Sequence, residues 1–316
     1  MKLTSLRSGL VGAALVASAL LAAPTAAVAA PPSGSPGVDH VAVPTAESEA
    51  AAQYWTPERM RGAIPADVLV ADRVASTPAS EVAKGAPVTY GKPTPAQDVD
   101  LFATSEAPVA NIGKVFFTLG GRNYVCSANS VSAANGSVVS TAGHCVHGGR
   151  GKFASRWIFV PAYENGAAPY GQWAATSFSA PTQWTKGGDI TYDTAFVKVA
   201  SLNGRTLAQA VGASAIAFNQ ARGLAYEAFG YPAAAPFDGQ TLQSCAGTAS
   251  ADPYGQTQSQ GIPCDMTGGS SGGPWFLGSG AQNSLNSFGY NNIPNVMFGP
   301  YYGSVAQTAY AAAAAS

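Results

Sequence analysis

A chain of 316 residues that is 47% hydrophobic, 10% charged and of net charge −1 holds ample apolar material for one or two cores. Its 16 Lys and Arg are scattered among 17 Asp and Glu, which argues against nucleic-acid binding, because phosphate recognition normally leaves a basic patch. Thirty-six glycines, with many Ser, Thr, Asn and Tyr, suit a loop-rich β protein better than a helical one.

Residues 1–30 read as an export signal. Lys2 and Arg7 form a positive start, residues 10–23 an uncharged apolar run, and Ala27-Val28-Ala29 a small-residue cleavage site. The run is shorter than the roughly 20 residues that span a bilayer, and Pro24 follows it, so a membrane anchor is the weaker reading. The expected product is secreted, without a membrane association. Residues 31–105 are rich in Ala, Pro, Glu and Asp and hold no cysteine. An amphipathic helix is expected over 57–74, with Pro57 in its first turn. Between a signal and a cysteine-containing region, this stretch reads as a propeptide; a disordered linker or an extra domain is the rival.

From residue 106 onward one cysteine-containing domain is expected, with its first half at about 112–205 and its second at about 206–305. Strands are expected at 113–119, 122–131, 137–141, 157–161, 194–199, 225–230 and 284–289, the third after the turn signal Asn135-Gly136. Many short strands between turns mean an all-β barrel or sandwich rather than an α/β sheet. The Ala-rich tail at 306–316 is expected to close the chain as a short helix. Cys126, Cys145, Cys245 and Cys264 can pair in three ways. Local pairing, Cys126–Cys145 and Cys245–Cys264, closes two short loops and is preferred. A zinc site is disfavoured, since there is no C-x-x-C pair and only His40, His144 and His147 are available as nitrogen ligands.

Three motifs carry chemistry. In Gly269-Ser270-Ser271-Gly272-Gly273-Pro274 a serine flanked by glycines can sit in a tight turn where N–H groups converge, as an oxyanion hole requires. Alone, it also fits the nucleophile elbow of α/β-hydrolases. Thr141-Ala142-Gly143-His144-Cys145 delivers a histidine, the natural general base, beside a cysteine. His147, in a Gly-rich loop, is less firmly placed. Tyr192-Asp193-Thr194 sets an aspartate at the head of a buried-looking strand, where it can orient an imidazole; Asp189 reads as a turn residue. An α/β-hydrolase needs its histidine after the serine, and here none follows His147. A subtilisin-like order would need an acid such as Asp98 or Asp100. The order His, Asp, Ser remains.

Together these motifs resemble the chymotrypsin/trypsin family of serine proteases, over roughly residues 112–305. The resemblance implies two six-stranded antiparallel barrels with the active site between them and a short C-terminal helix. It implies His144 as general base, Asp193 as its orienting acid and Ser271 as nucleophile. The N–H groups of Gly269 and Ser271 would form the oxyanion hole, and Cys126–Cys145 the disulfide that braces the histidine. Ser287-Phe288-Gly289 resembles the strand that pairs with an extended substrate. The implied enzyme is a monomeric serine endopeptidase that needs no metal or cofactor; its partners are polypeptide substrates and its own propeptide.

Two departures stand out. Ser270 replaces the aspartate that receives the new N-terminus in animal digestive members, so maturation by that ion pair is not expected. Asp265 lies six residues before Ser271, where trypsin-like members hold an acid in the specificity pocket, yet Cys264 beside it suggests a different loop path. Rival functions are a catalytically silent binding module on the same fold and an esterase using the same triad.

Overall fold

This computed structural model describes residues 37–71, 81–94 and 103–316, together with Met1. Apart from Met1, the expected signal lies outside the described residues. The segment ahead of residue 106 is not separate from the rest. It contributes β1 (Val38–Ala42), β2 (Ile64–Pro65), β3 (Val88–Tyr90) and β4 (Thr104–Glu106), and each strand joins a sheet of the body. Between β1 and β2 lie α1 (Thr45–Tyr54) and α2 (Pro57–Arg61).

The helix expected over 57–74 therefore needs correction. It starts with Pro57 in the first turn and the Thr56 side chain accepting from the Arg59 N–H, but it ends at Arg61. Gly62 caps it, and Pro65 has no N–H to continue a helical ladder, so the chain turns into β2 and a 3₁₀ turn at Ala66–Leu69. Residues 72–74 lie outside the described residues. Neither does the linker reading suit the described part: Trp55 is 2% exposed, packs 5.5 Å from Phe116 and donates from Nε1 to the Arg156 carbonyl.

β5 (Ile112–Leu119), β6 (Arg122–Val131), β7 (Val138–Thr141), β8 (Ser155–Pro161), β9 (Trp173–Pro181) and β10 (Ala195–Val199) close a six-stranded antiparallel barrel. Side chains alternate across β5: Val115 and Phe117 enter the main core, while Phe116 faces outward under Trp55. Between β6 and β7 the Asn135-Gly136 signal holds, Gly136 taking φ +65°. β9 went unforeseen because its Ala, Ser and Thr residues alternate too weakly in hydrophobicity to mark a strand.

The second half follows α3 (Leu207–Val211). Its strands are β11 (Ile216–Phe218), β12 (Ala225–Gly230), β13 (Leu242–Thr248), β14 (Ser250–Ala251), β15 (Gln260–Pro263), β16 (Pro274–Leu277), β17 (Gln282–Leu285) and β18 (Val296–Gly299). They form one sheet of order β3-β11-β17-β16-β12-β13-β4 and a smaller one of order β14-β15-β18. The Cys245–Cys264 disulfide joins β13 to the end of β15, and Cys126–Cys145 forms in the first barrel. The strand expected at 284–289 loses regular pairing after Leu285, where Ser287 and Phe288 instead donate to the Phe298 carbonyl. α4 (Ser304–Ala315) returns to the first barrel, burying Ala309, Tyr310 and Ala313 in the core that holds Phe178 and Phe196. No described helix is long and apolar enough to cross a membrane.

Candidate active site

β7 runs out at Thr141 into a tight turn at Gly143–Cys145, which sets His144 at the seam between the halves. Only glycine fits at 143: a Cβ there would lie 2.7 Å from Trp184 Cδ1 and 3.0 Å from Asp193 Oδ1. The Cys126–Cys145 bond ties the turn to β6. Asp193 sits between the Ile190–Tyr192 turn and β10, and both it and His144 are fully buried. Three donors reach its carboxylate. Oδ1 accepts the His144 backbone N–H at 2.7 Å, while Oδ2 accepts His144 Nδ1 at 2.7 Å and the Ser287 hydroxyl at 2.5 Å. A carboxylate can only accept, so it holds the proton on Nδ1 and leaves Nε2 as the basic nitrogen. Nε2 is buried and hydrogen-bonds to nothing among the described residues. Asp189 is the turn residue the sequence indicates, accepting the Thr191 N–H, and His147 bonds within its own loop to Gly149 and Gly151.

Ser271 lies on the opposite wall, 4% exposed, in a turn shaped by Gly269 at φ +98° and Gly272 at φ +83°. Space as well as φ demands glycine at 272, where a Cβ would stand 2.2 Å from Thr141 Oγ1 and 2.4 Å from the Ser127 carbonyl. Ser127 bridges the walls: its N–H donates to the Ser271 carbonyl at 2.7 Å and its hydroxyl to the Gly269 carbonyl at 3.0 Å. Asn286 clamps the turn from below, donating to the Phe229 and Ser270 carbonyls, accepting from Trp275 Nε1, and receiving the Gly272 N–H on its own carbonyl. Ser270 closes the turn by donating to the Thr267 carbonyl. Among the described residues, the N–H groups of Gly269 and Ser271 donate to no acceptor.

Ser287, Phe288 and Gly289 border a cavity of about 370 Å³ beside Ser271, together with Asp265, Gly268, Val296 and Asp67. Asp265 is half-buried there, but its Oδ1 already accepts the Ala103 N–H at 2.8 Å. Sequence reasoning missed Ser127, Asn286 and Asp67, since nothing in their neighbourhoods marks them. Among the described residues the only cluster of metal-type ligands is Cys126, His144 and Cys145; its sulfurs are joined as a disulfide and Nδ1 is held by Asp193, so it offers a metal no thiolate.

A buried carboxylate–imidazole pair, with the carbonyl of a glycine-bounded serine 3.8 Å from the neighbouring Cys145 Sγ at the seam of two β halves, is the arrangement of a serine hydrolase of the two-barrel class. The structure is similar to that of the protease Anisep from Arthrobacter nicotinovorans, with 61% identity and a TM-score of 0.66 over 68% of this chain and 100% of that one. It is also similar to the thermostable serine protease AL20 from an extremophilic microorganism, with 55% identity and a TM-score of 0.62 over 65% of this chain and 97% of that one. A Glu endopeptidase shares the fold at 20% identity, with a TM-score of 0.51 over 67% of this chain and 96% of that one. No family model and no curated protein matches the chain. The chain belongs to the chymotrypsin-like serine protease family and is a serine endopeptidase.

Proposed function

We propose that the protein is a secreted serine endopeptidase, made as a precursor, that cuts polypeptides through an acyl-enzyme on Ser271. His144 Nε2 takes the Ser271 proton as Oγ attacks the scissile carbonyl, and the N–H groups of Gly269 and Ser271 receive the oxyanion. Asp193 keeps the imidazole in the required tautomer and stabilises the imidazolium. That imidazolium then protonates the leaving amine, and water repeats the sequence to release the acyl group. The observation that carries this reading is the Asp193 carboxylate, which holds both His144 N–H groups and leaves Nε2 unengaged.

Export is supported by the pattern of residues 1–30 and by two disulfides, which persist in oxidising compartments. The propeptide reading is supported by the solved relatives: essentially whole chains match about two thirds of this one, the size of the segment expected from residue 106 onward. The test is a digest of a broad peptide mixture, with cleavage sites mapped by mass spectrometry, beside Ser271→Ala. Cleavage should fall by roughly four or more powers of ten in the variant, with the fold unchanged. Near-equal cleavage by the variant would end the assignment.

A further inference from the structure

Residues 64–71 lie along the cleft. β2 pairs with β6 in parallel, Ile64 opposite Tyr124 and Pro65 opposite Val125, next to Cys126 and its bond to the histidine turn. Ala66 is fully buried in the first barrel's core, and the Ala66–Leu69 turn packs on the Gly143–Cys145 turn. Asp67 comes next, its carboxylate filling the space over Gly268. A Cβ at 268 would stand 2.2 Å from Asp67 Oδ1, and its three nearest atoms all belong to Asp67. That Oδ1 is buried and has no hydrogen-bond partner among the described residues, an arrangement that costs stability. Val70 then joins Phe288 in one buried cluster, and Val70 and Ala71 border a second cavity with Phe288, Gly289 and Tyr290.

The chemistry dictates which way a substrate must run. His144 hands its proton to the leaving amine, so the chain beyond the scissile bond departs on the histidine side, past Cys126 and β6. The acyl part lies along Ser287, Phe288 and Gly289. Residues 64–71 run the other way, entering beside β6 and leaving beside Phe288. A reversed chain does not present a carbonyl carbon to Ser271 with its nitrogen toward His144.

Resting on the protease reading above, we infer that residues 64–71 are a built-in inhibitor, laid through the cleft with polarity opposite to a substrate's and plugged by Asp67 at Gly268. The segment blocks the site without being cut, so maturation must break the chain elsewhere.

The test uses the full chain and a fluorophosphonate probe, which Ser271 Oγ attacks at phosphorus with loss of fluoride. Intact mass counts labelled precursor separately from processed protein. Gly268→Ala, at a φ any residue adopts, drives a methyl into the Asp67 carboxylate, and Ala66→Arg expels the segment from the other side. Each precursor should label roughly tenfold faster than wild type or more. Adding Asp67→Ala to Gly268→Ala should slow labelling again, because the colliding atoms are gone. A synthetic peptide of residues 62–71 should slow labelling of whichever form reacts, and be recovered whole. Wild-type precursor that labels as fast as both variants would mean an open cleft and overturn the inference. Concentration-independent cutting between residues 64 and 71 would overturn the reversed polarity. No labelling of any form, processed protein included, would instead strike the protease reading itself.

Discussion

The two walls of the cleft are held by opposite means. On the first-barrel side, His144 is fixed by what side chains supply: a disulfide at Cys145, a carboxylate that grips the residue at two atoms, and Trp184 packed against Gly143. On the other side, the Ser127, Ser270 and Asn286 side chains hold the backbone of the Ser271 turn, but the shape of that turn depends on what glycine leaves out. Gly269 and Gly272 adopt positive φ, and Gly272 abuts barrel-one backbone with no room for a methyl. The imidazole needs one tautomer and one orientation, which only directed hydrogen bonds impose. The serine turn needs bare N–H groups, which only close backbone approach provides.

Five changes would break or sharpen this contrast. Asp193→Asn keeps the shape but faces donors with an amide, so kcat should fall roughly 10⁴-fold while thermal unfolding stays cooperative. If kcat holds within about tenfold, directed bonding does not govern the first wall. Gly272→Ala should cost about 3 kcal/mol or more in urea denaturation, since the methyl meets Thr141 Oγ1 and the Ser127 carbonyl at a strained φ. Gly278→Ala, with open space and an ordinary φ, should stay within about 0.5 kcal/mol.

Lys114 offers a tie across the seam. It is 3% exposed on β5, lies over the Phe116 and Tyr163 rings, and donates to the Gly239 carbonyl in the second half. Burial pushes its amine down to about 7, with Asp238 opposing the shift. Between that value and its unfolded value of about 10.4, the unfolded chain holds the extra proton, so stability rises with pH across the window. Lys114→Met should be favoured most at pH 6 and lose that advantage toward pH 10, a swing on the order of a few kcal/mol. Urea melts across that range would show it, and a constant difference would refute it. The smaller of the two catalytic effects is expected of Ser287→Ala, which removes one of three donors to Asp193. A kcat loss of about tenfold with KM little changed is expected from steady-state kinetics, and a KM effect alone would make Ser287 a substrate contact instead.

Much of the candidate site is legible in the chain because each motif carries its own local reason. Small residues lead to His144 and a cysteine follows it, Asp193 heads a β-branched run, and glycines bracket Ser271. The helix at 57–74 is misread because Pro65 lies within an otherwise favourable pattern, and β9 is missed because its faces differ too little in hydrophobicity. Ser127 and Asn286 have no signature, since a serine or asparagine becomes a clamp only when distant carbonyls arrive beside it.

The sequence alone determined the β texture and the order His, Asp, Ser, and it favoured local disulfide pairing without fixing it. These depend on period-2 patterning, turn chemistry and short loop closure, all encoded within a few residues of one another. Only the tertiary structure decided the rest: that α4 returns to the first barrel, that Lys114 spans the seam, and that residues 64–71 lie in the cleft. Such placements come from apolar faces and hydrogen-bonding groups meeting across 60 residues or more, where no local pattern specifies the partner.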